Sequence, residues 1–293
     1  MSISNTTIRR VLSALILLPI YAYAVLTDQF MSLPILLASI VISSITLFEF
    51  YQITDRGEQG RPFIAVGIIT NVFVNIVIYL YAMGKLWGFA KYIGDFDGRL
   101  IMGVVALFIM TILILQLFTR NIKGGIYSVG ITIFGVMFIG FFFAHIILLK
   151  SLNYGKYYIF LLNAVIMLND SGAYFGGVLF GKHKTDFAVS PNKSYEGYFS
   201  GLFFSIIGSI IVNEVFISFF KVKLFHMAEA AVVGLLLSLL ASVGDLAEST
   251  IKRDGEIKDS GSIIPGHGGM FDVFDAILFA QPIFYYYIIV TGG

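Results

Sequence analysis

Asp245, Glu248, Ser249 and Lys252 are spaced 0, 3, 4 and 7 residues apart, so on a helix they share one face. Asp272 and Asp275 share a face at the start of the apolar run that follows. The stretch between holds Gly255, Gly261, Gly266, Gly268 and Gly269, together with Arg253, Lys258, Asp259 and His267. Carboxylates at the ends of two helices suit a hard, oxygen-seeking cation such as Mg²⁺, bound by a few carboxylates plus phosphate oxygens. The glycines let backbone N–H groups approach an anion, and Lys252, Arg253 and Lys258 supply positive charge. The set fits a polyphosphate with its metal. A solvated charged loop would account for the charges but not for carboxylates placed at the ends of two apolar runs. Zinc is disfavoured, because the chain has no cysteine and His267 is the only histidine near.

A second constellation lies upstream. It runs Asn169-Asp170-Ser171-Gly172, then Gly176-Gly177, Phe180-Gly181-Lys182, and Ser190-Pro191-Asn192-Lys193-Ser194-Tyr195-Glu196-Gly197. Asp170 sits near the middle of an apolar run, so it is expected to face the bundle interior or a wet cavity. The glycines permit close approach of a second helix or of a ligand. Ser194 or Asn192 is placed to cap the next helix, with Glu196 in its first turn. Lys182, Lys184 and Lys193 either follow the charge bias of cytoplasmic loops or neutralise phosphate.

The elements that must hold these residues are legible from composition. Mean hydropathy is +0.89 and 58% of residues are hydrophobic, against 13% charged. A soluble chain of this length would carry more charge and amphipathic stripes. The apolar runs, near 11–26, 30–51, 62–83, 100–118, 126–149, 157–180, 195–220, 228–252 and 271–291, predict an all-α, polytopic integral membrane protein of about nine transmembrane helices. We read 1–293 as a single membrane domain, with scaffold and lipid-facing spans over 1–155 and catalytic spans with their polar loops over 156–293. Ala22-Tyr23-Ala24 resembles a signal-peptidase site, but the apolar run continues past it, which favours a retained first helix.

Nine spans put the termini on opposite sides. With the N-terminus inside, the inner segments carry twelve Lys and Arg residues and the outer ones seven (Lys85, Lys91, Arg99, Lys150, Lys156, Lys221, Lys223), a bias for N-in, C-out. Both polar loops, 181–195 and 252–270, then face the cytoplasm, where nucleotides are. The near-neutral net charge and the lack of a basic soluble domain give no reason to expect a nucleic-acid partner. Asn71 and Asn75, one helical turn apart, are expected to pack between helices. Glu49, at the end of a span, is expected to reach the membrane interface. His145 and Glu214 are expected to make polar contacts between helices.

The blocks Gly244-Asp245-Leu246-x-Glu248-Ser249, Lys252-Arg253, Lys258-Asp259, Pro265-Gly-His-Gly-Gly269 and Asp272-x-x-Asp275 together resemble the signature of the phosphatidate cytidylyltransferases, the CDP-diacylglycerol synthases. The upstream Asp170-Ser-Gly-Ala-Tyr-Phe, Phe180-Gly-Lys182 and Ser190-Pro-x-Lys-Ser-x-Glu196-Gly197 are similar to that family's other shared segment. The detailed match covers roughly 165–280. The resemblance implies reaction of CTP with phosphatidic acid, an Mg²⁺ requirement with a two-metal centre in which K⁺ could take one site, a homodimer, and a bacterial-type cytoplasmic membrane with the active site facing the cytoplasm.

By position, the resemblance implies Asp245 and Asp272 as metal ligands, with Asp275 as ligand or support. Lys252 joins Asp245 and Asp272 in catalysis, and His267 either donates to pyrophosphate or holds its loop by a backbone bond. Substrate contacts are expected from Asp170, Lys182, Ser190, Lys193, Glu196, Glu248, Ser249, Arg253, Lys258, Asp259, Gly268 and Gly269. One position departs from the pattern: Val273 stands where the family normally has arginine, which removes a cation expected near phosphate. A CTP-using polyprenol kinase and a secondary transporter are the rival readings. The first would release CDP in place of pyrophosphate. The second lacks support from any inverted repeat.

Overall fold

The computed structural model describes residues 5–88, 98–187 and 189–292, and the side chains of 5–11, 14, 85 and 98 are not described. Arg9, Arg10, Lys85 and Lys91 from the topology argument therefore lie outside the described side chains. The described chain is mostly helical. Its helices are α1 (Asn5–Leu26), α2 (Leu33–Ile53), α3 (Ile64–Trp87), α4 (Gly98–Thr119), α5 (Gly125–Gly135), α6 (Phe142–Ser151), α7 (Gly155–Phe180), α8 (Tyr195–Val215), α9 (Met227–Asp254) and α10 (Met270–Thr291). A π-helical stretch, Val136–Phe141, joins α5 to α6 into one continuous span. Among the described residues there is no strand, only isolated bridges pairing Lys184 with Ser194 and Ile264 with Gly268. Among the described residues eight helical segments are long and apolar enough to cross a membrane, and Leu15–Leu26 is an apolar helical stretch at the expected first span. This is a polytopic all-α membrane protein.

The chain divides into two compact units. The first is Met1–Ser151 with Gly255–Val273, and the second is Leu152–Asp254 with Phe274–Gly293. In the first unit, α2 and α3 are held by amides and hydroxyls that have no water to turn to. Ser39 Oγ donates to Asn75 Oδ1 at 2.6 Å, Asn71 Nδ2 to Ser43 Oγ at 2.9 Å, and Asn75 Nδ2 to the Asn71 carbonyl at 2.9 Å. The asparagines are thus packing residues, since a buried amide without a partner costs more than the bond is worth. Tyr51 donates to the Thr132 carbonyl at 2.8 Å, and Phe50, Phe134, Phe138 and Phe271 form a ring cluster. Phe271 brings the start of α10 into this core. His145 Nδ1 lies 2.7 Å from the Phe141 carbonyl of its own span, and Glu214 is exposed.

In the second unit Asn169 pins three helices at once. Its Oδ1 accepts from Ser238 Oγ of α9 at 2.7 Å and from Ser205 Oγ of α8 at 3.3 Å. The glycines of α7 serve the seam with α8. A Cβ on Gly172 would come within 2.7 Å of the Phe204 ring, and one on Gly176 would strike Ser200. Ser194 caps α8 by accepting from the Gly197 N–H at 3.2 Å.

Candidate active site

Helix spacing does to α9 what the sequence requires, putting Asp245, Glu248 and Lys252 on one face. Gly244 then lets α10 come close: a Cβ there would lie 2.8 Å from the Asp275 carbonyl and 3.1 Å from Ala276 Cα. The outcome is a carboxylate group in the second unit. Asp245, Glu248 and Asp275 each offer an oxygen, and these atoms lie within 4.8 Å of one another. Glu248 is only 1% exposed.

Buried carboxylates this close repel unless cations offset them. Two lysines do so. Lys193, from the loop before α8, forms an ion pair with Asp245 Oδ2, and Lys252 Nζ lies 2.7 Å from Glu248 Oε1. Burial pushes the Lys193 ammonium below its usual value. Asp275, Asp170 and Glu248 act to hold it up, and Lys252 adds to the lowering. Asp170, expected to face the bundle interior or a wet cavity, is exposed, and its Oδ1 accepts from Asn169 Nδ2 at 3.2 Å.

The loop that delivers Lys193 is shaped by its own residues. Thr185 N–H donates to the Lys193 carbonyl at 3.0 Å, Tyr195 N–H to the His183 carbonyl at 3.0 Å, and Lys184 Nζ to the Asn192 carbonyl at 2.9 Å. Glu196, expected to meet substrate, takes the His183 N–H at 3.2 Å and faces His183 Nδ1 at 2.6 Å. Ser190 forms the turn, its carbonyl accepting from the Lys193 N–H at 3.3 Å. Lys182 is exposed beside this hairpin. Glu196 and Ser190 thus help to shape the hairpin that carries Lys193.

The Gly-rich loop belongs to the first unit. Lys258, Asp259 and His267 are exposed, and the His267 N–H donates to the Ile264 carbonyl at 3.0 Å. Asp272 is engaged in that unit: its Oδ2 accepts from Ser260 N–H at 2.8 Å, Ser260 Oγ at 2.9 Å and Gly269 N–H at 2.8 Å. A Cβ on Gly268 would lie 2.5 Å from the same oxygen. The ligand set named from the motif was Asp245, Asp272 and Asp275. Within the second unit, Asp245 and Asp275 of that set lie together with Glu248, which the motif reading took as a substrate contact and which stands at i, i+3 from Asp245. On α9, Ser249 is half-buried and Arg253 exposed, and Val273 of α10 is 38% exposed.

The family model of the cytidylyltransferase family matches residues 8–291. This chain belongs to that family. Among curated relatives, the phosphatidate cytidylyltransferase of Bacillus subtilis is 28% identical over 280 residues, covering 95% of this chain and 96% of the relative. That of Staphylococcus saprophyticus is 38% identical over 145 residues, about half of each chain (50% and 52%). The enzyme of the same name from Staphylococcus haemolyticus is 41% identical over 129 residues, 44% of this chain and 48% of the relative. The family match extends well beyond the 165–280 segment whose motifs carry the resemblance.

Glu49, expected to reach the interface, is 2% exposed and held by the start of α10, a role that the sequence did not suggest. A carboxylate ending an apolar run is the only local signal it gives. Its partners lie more than two hundred residues away in the chain.

Proposed function

We infer that this protein transfers the cytidylyl group of CTP to phosphatidic acid, giving CDP-diacylglycerol and pyrophosphate. Membership of the cytidylyltransferase family and the shared name of its relatives support the reaction. The observation that carries the reading is the three-carboxylate group offset by Lys193 and Lys252.

In the reaction a phosphate oxygen of phosphatidic acid attacks the α-phosphorus of CTP. The bond from that phosphorus to the bridging oxygen of the β-phosphate breaks, and the electron pair leaves with pyrophosphate. The attacking phosphate is already anionic at neutral pH, so no strong general base is needed. What the site must supply is suppression of repulsion between anions, in-line placement and neutralisation of the leaving group. The donor set, all carboxylate oxygen, fits Mg²⁺ held by Asp245, Glu248 and Asp275, with Asp272 retained as a ligand on the strength of the motif. When bound, the metal supplies charge stabilisation at the phosphates. Lys193 and Lys252 hold phosphate oxygens as phosphate charge enters beside the carboxylates they now face. Arg253, Lys258 and Lys182 add positive charge at the mouth, and His267 either donates to pyrophosphate or keeps its loop in shape.

The same reading takes the chain to be N-in and C-out in a cytoplasmic membrane, with the site open to cytosolic CTP and to lipid from the side. The charge bias of its loops supports that orientation. A two-metal centre, K⁺ at one site and a homodimer come with the resemblance and are proposed with it. The decisive assay gives purified protein CTP, phosphatidic acid and Mg²⁺, and follows pyrophosphate and CDP-lipid together. Equal amounts of both are expected. Release of CDP with phosphorylated lipid would overturn the reading in favour of a lipid kinase.

A further inference from the structure

The end of α2 and the start of α10 are joined by a carboxylate that no motif contains. Glu49 Oε1 accepts from the Met270 N–H at 3.0 Å, and its Oε2 accepts from the Phe271 N–H at 2.8 Å and lies 3.1 Å from Ser260 Oγ. The first N–H groups of a helix have no partner within it, and the helix dipole favours negative charge there. Asp272, in the first turn, takes the Gly269 N–H, as the far residue of a capping box does. Two carboxylates thus satisfy three successive N–H groups, those of Gly269, Met270 and Phe271. Ser260 Oγ lies within hydrogen-bond distance of both. Having one hydroxyl proton, it can serve only one of them at a time.

The fit leaves no slack. A Cβ on Gly261 would stand 2.7 Å from Glu49 Oε1, and one on Gly269 would stand 2.6 Å from Oε2. The two glycines are what allow the loop to close over a carboxylate. Both Glu49 oxygens accept from neutral donors. Asp272 differs, since the three donors described for it converge on one oxygen, Oδ2, which fixes the plane of its carboxylate.

We propose that Glu49 is a positioning residue for the transfer reaction, orienting Asp272 through Ser260 and through the backbone of 269–271. The proposal rests on the reading of Asp272 as a metal ligand. Groups one shell out from a metal orient its ligands, and their loss typically costs about ten- to a hundredfold in affinity or activity. Glu49→Gln keeps the shape but turns one accepting oxygen into a donor that faces a backbone N–H, so the cap must give. Ser260→Ala removes only the hydroxyl between the carboxylates.

The test uses the full chain in detergent and Mn²⁺ alone, with affinity read by electron paramagnetic resonance, alongside kcat and KM for CTP. Glu49→Gln is expected to weaken Mn²⁺ about tenfold or more and to lower kcat with little change in KM. Ser260→Ala is expected to give a smaller shift in the same direction. A role confined to holding the fold would lower the melting temperature and leave Mn²⁺ affinity of the folded protein unchanged, which overturns the proposal. If Glu49→Gln does not fold, Ser260→Ala decides alone by the same criterion. Asp272→Asn separates the two layers. If it binds Mn²⁺ normally, Asp272 is no ligand and the proposal falls with that reading. If it weakens Mn²⁺ while Glu49→Gln and Ser260→Ala do not, only the positioning role is lost.

Discussion

The protein holds two sets of buried or half-buried acidic side chains, and they are satisfied in opposite ways. In the second unit Asp245, Glu248 and Asp275 are gathered within 4.8 Å and offset by lysine ammonium groups. In the first, Glu49 and Asp272 are satisfied by backbone N–H groups and one serine hydroxyl. The kind of donor tells the two apart. An ammonium on a flexible stem can be exchanged for a metal ion or for a phosphate's own demand, because it can swing aside. A backbone N–H at a helix start cannot leave without unwinding the helix. The first arrangement can give way to an incoming ligand, and the second holds its carboxylates in a fixed orientation.

Four substitutions and the removal of divalent ions would break or sharpen that contrast. The largest effect is expected from Asp245→Asn. If the metal it helps to hold supplies several kcal/mol at the transferring phosphate, CDP-lipid formation should fall about a thousandfold or more while the protein still folds. Near-normal turnover would remove Asp245 from the site. Chelation of divalent ions should stop the reaction just as fully and Mg²⁺ should restore it, with pyrophosphate release as the readout.

Gly244→Ala tests whether the carboxylates depend on the close approach of α10. Overpacking there should cost about 1–3 kcal/mol of stability and reduce turnover in the folded fraction, measured by thermal unfolding and by assay at low temperature. Lys193→Gln should raise the KM for CTP or phosphatidic acid while tightening Mn²⁺ in their absence, because a competing cation has gone. Weaker Mn²⁺ binding in that variant would show that Lys193 organises the carboxylates instead of occupying their place. The smallest effect belongs to Val273→Arg. An added charge at a partly exposed position is worth about 0.2–1 kcal/mol, so activity should rise up to about fivefold. No change would mean that Lys193 and Lys252 already meet the need.

How much of this was legible in the sequence follows the range of the forces involved. The helices were readable because burial in lipid demands long apolar runs, and among the described residues eight of the expected spans meet the length and hydropathy of a crossing helix. The shared face of Asp245, Glu248 and Lys252 was readable because it is set by 3.6 residues per turn within a single helix. Ser194 as a cap was readable for the same local reason. The rank of Glu248 was not, since a spacing shows which residues share a face but not which of them a second helix approaches. Nor was the hairpin role of Glu196, which depends on how His183 folds back onto it.

The sequence by itself determined the class of the protein, its spans and the motifs that place it among cytidylyltransferases. Each of these rests on composition or on contacts within a few residues. Only the tertiary structure decided that Glu248 lies with Asp245 and Asp275, that Lys193 is the cation set against Asp245, and that Glu49 closes over the start of α10. Those choices depend on hydrogen bonds and packing between segments far apart in the chain, where a glycine's missing methyl group or one buried oxygen settles which side chains can meet.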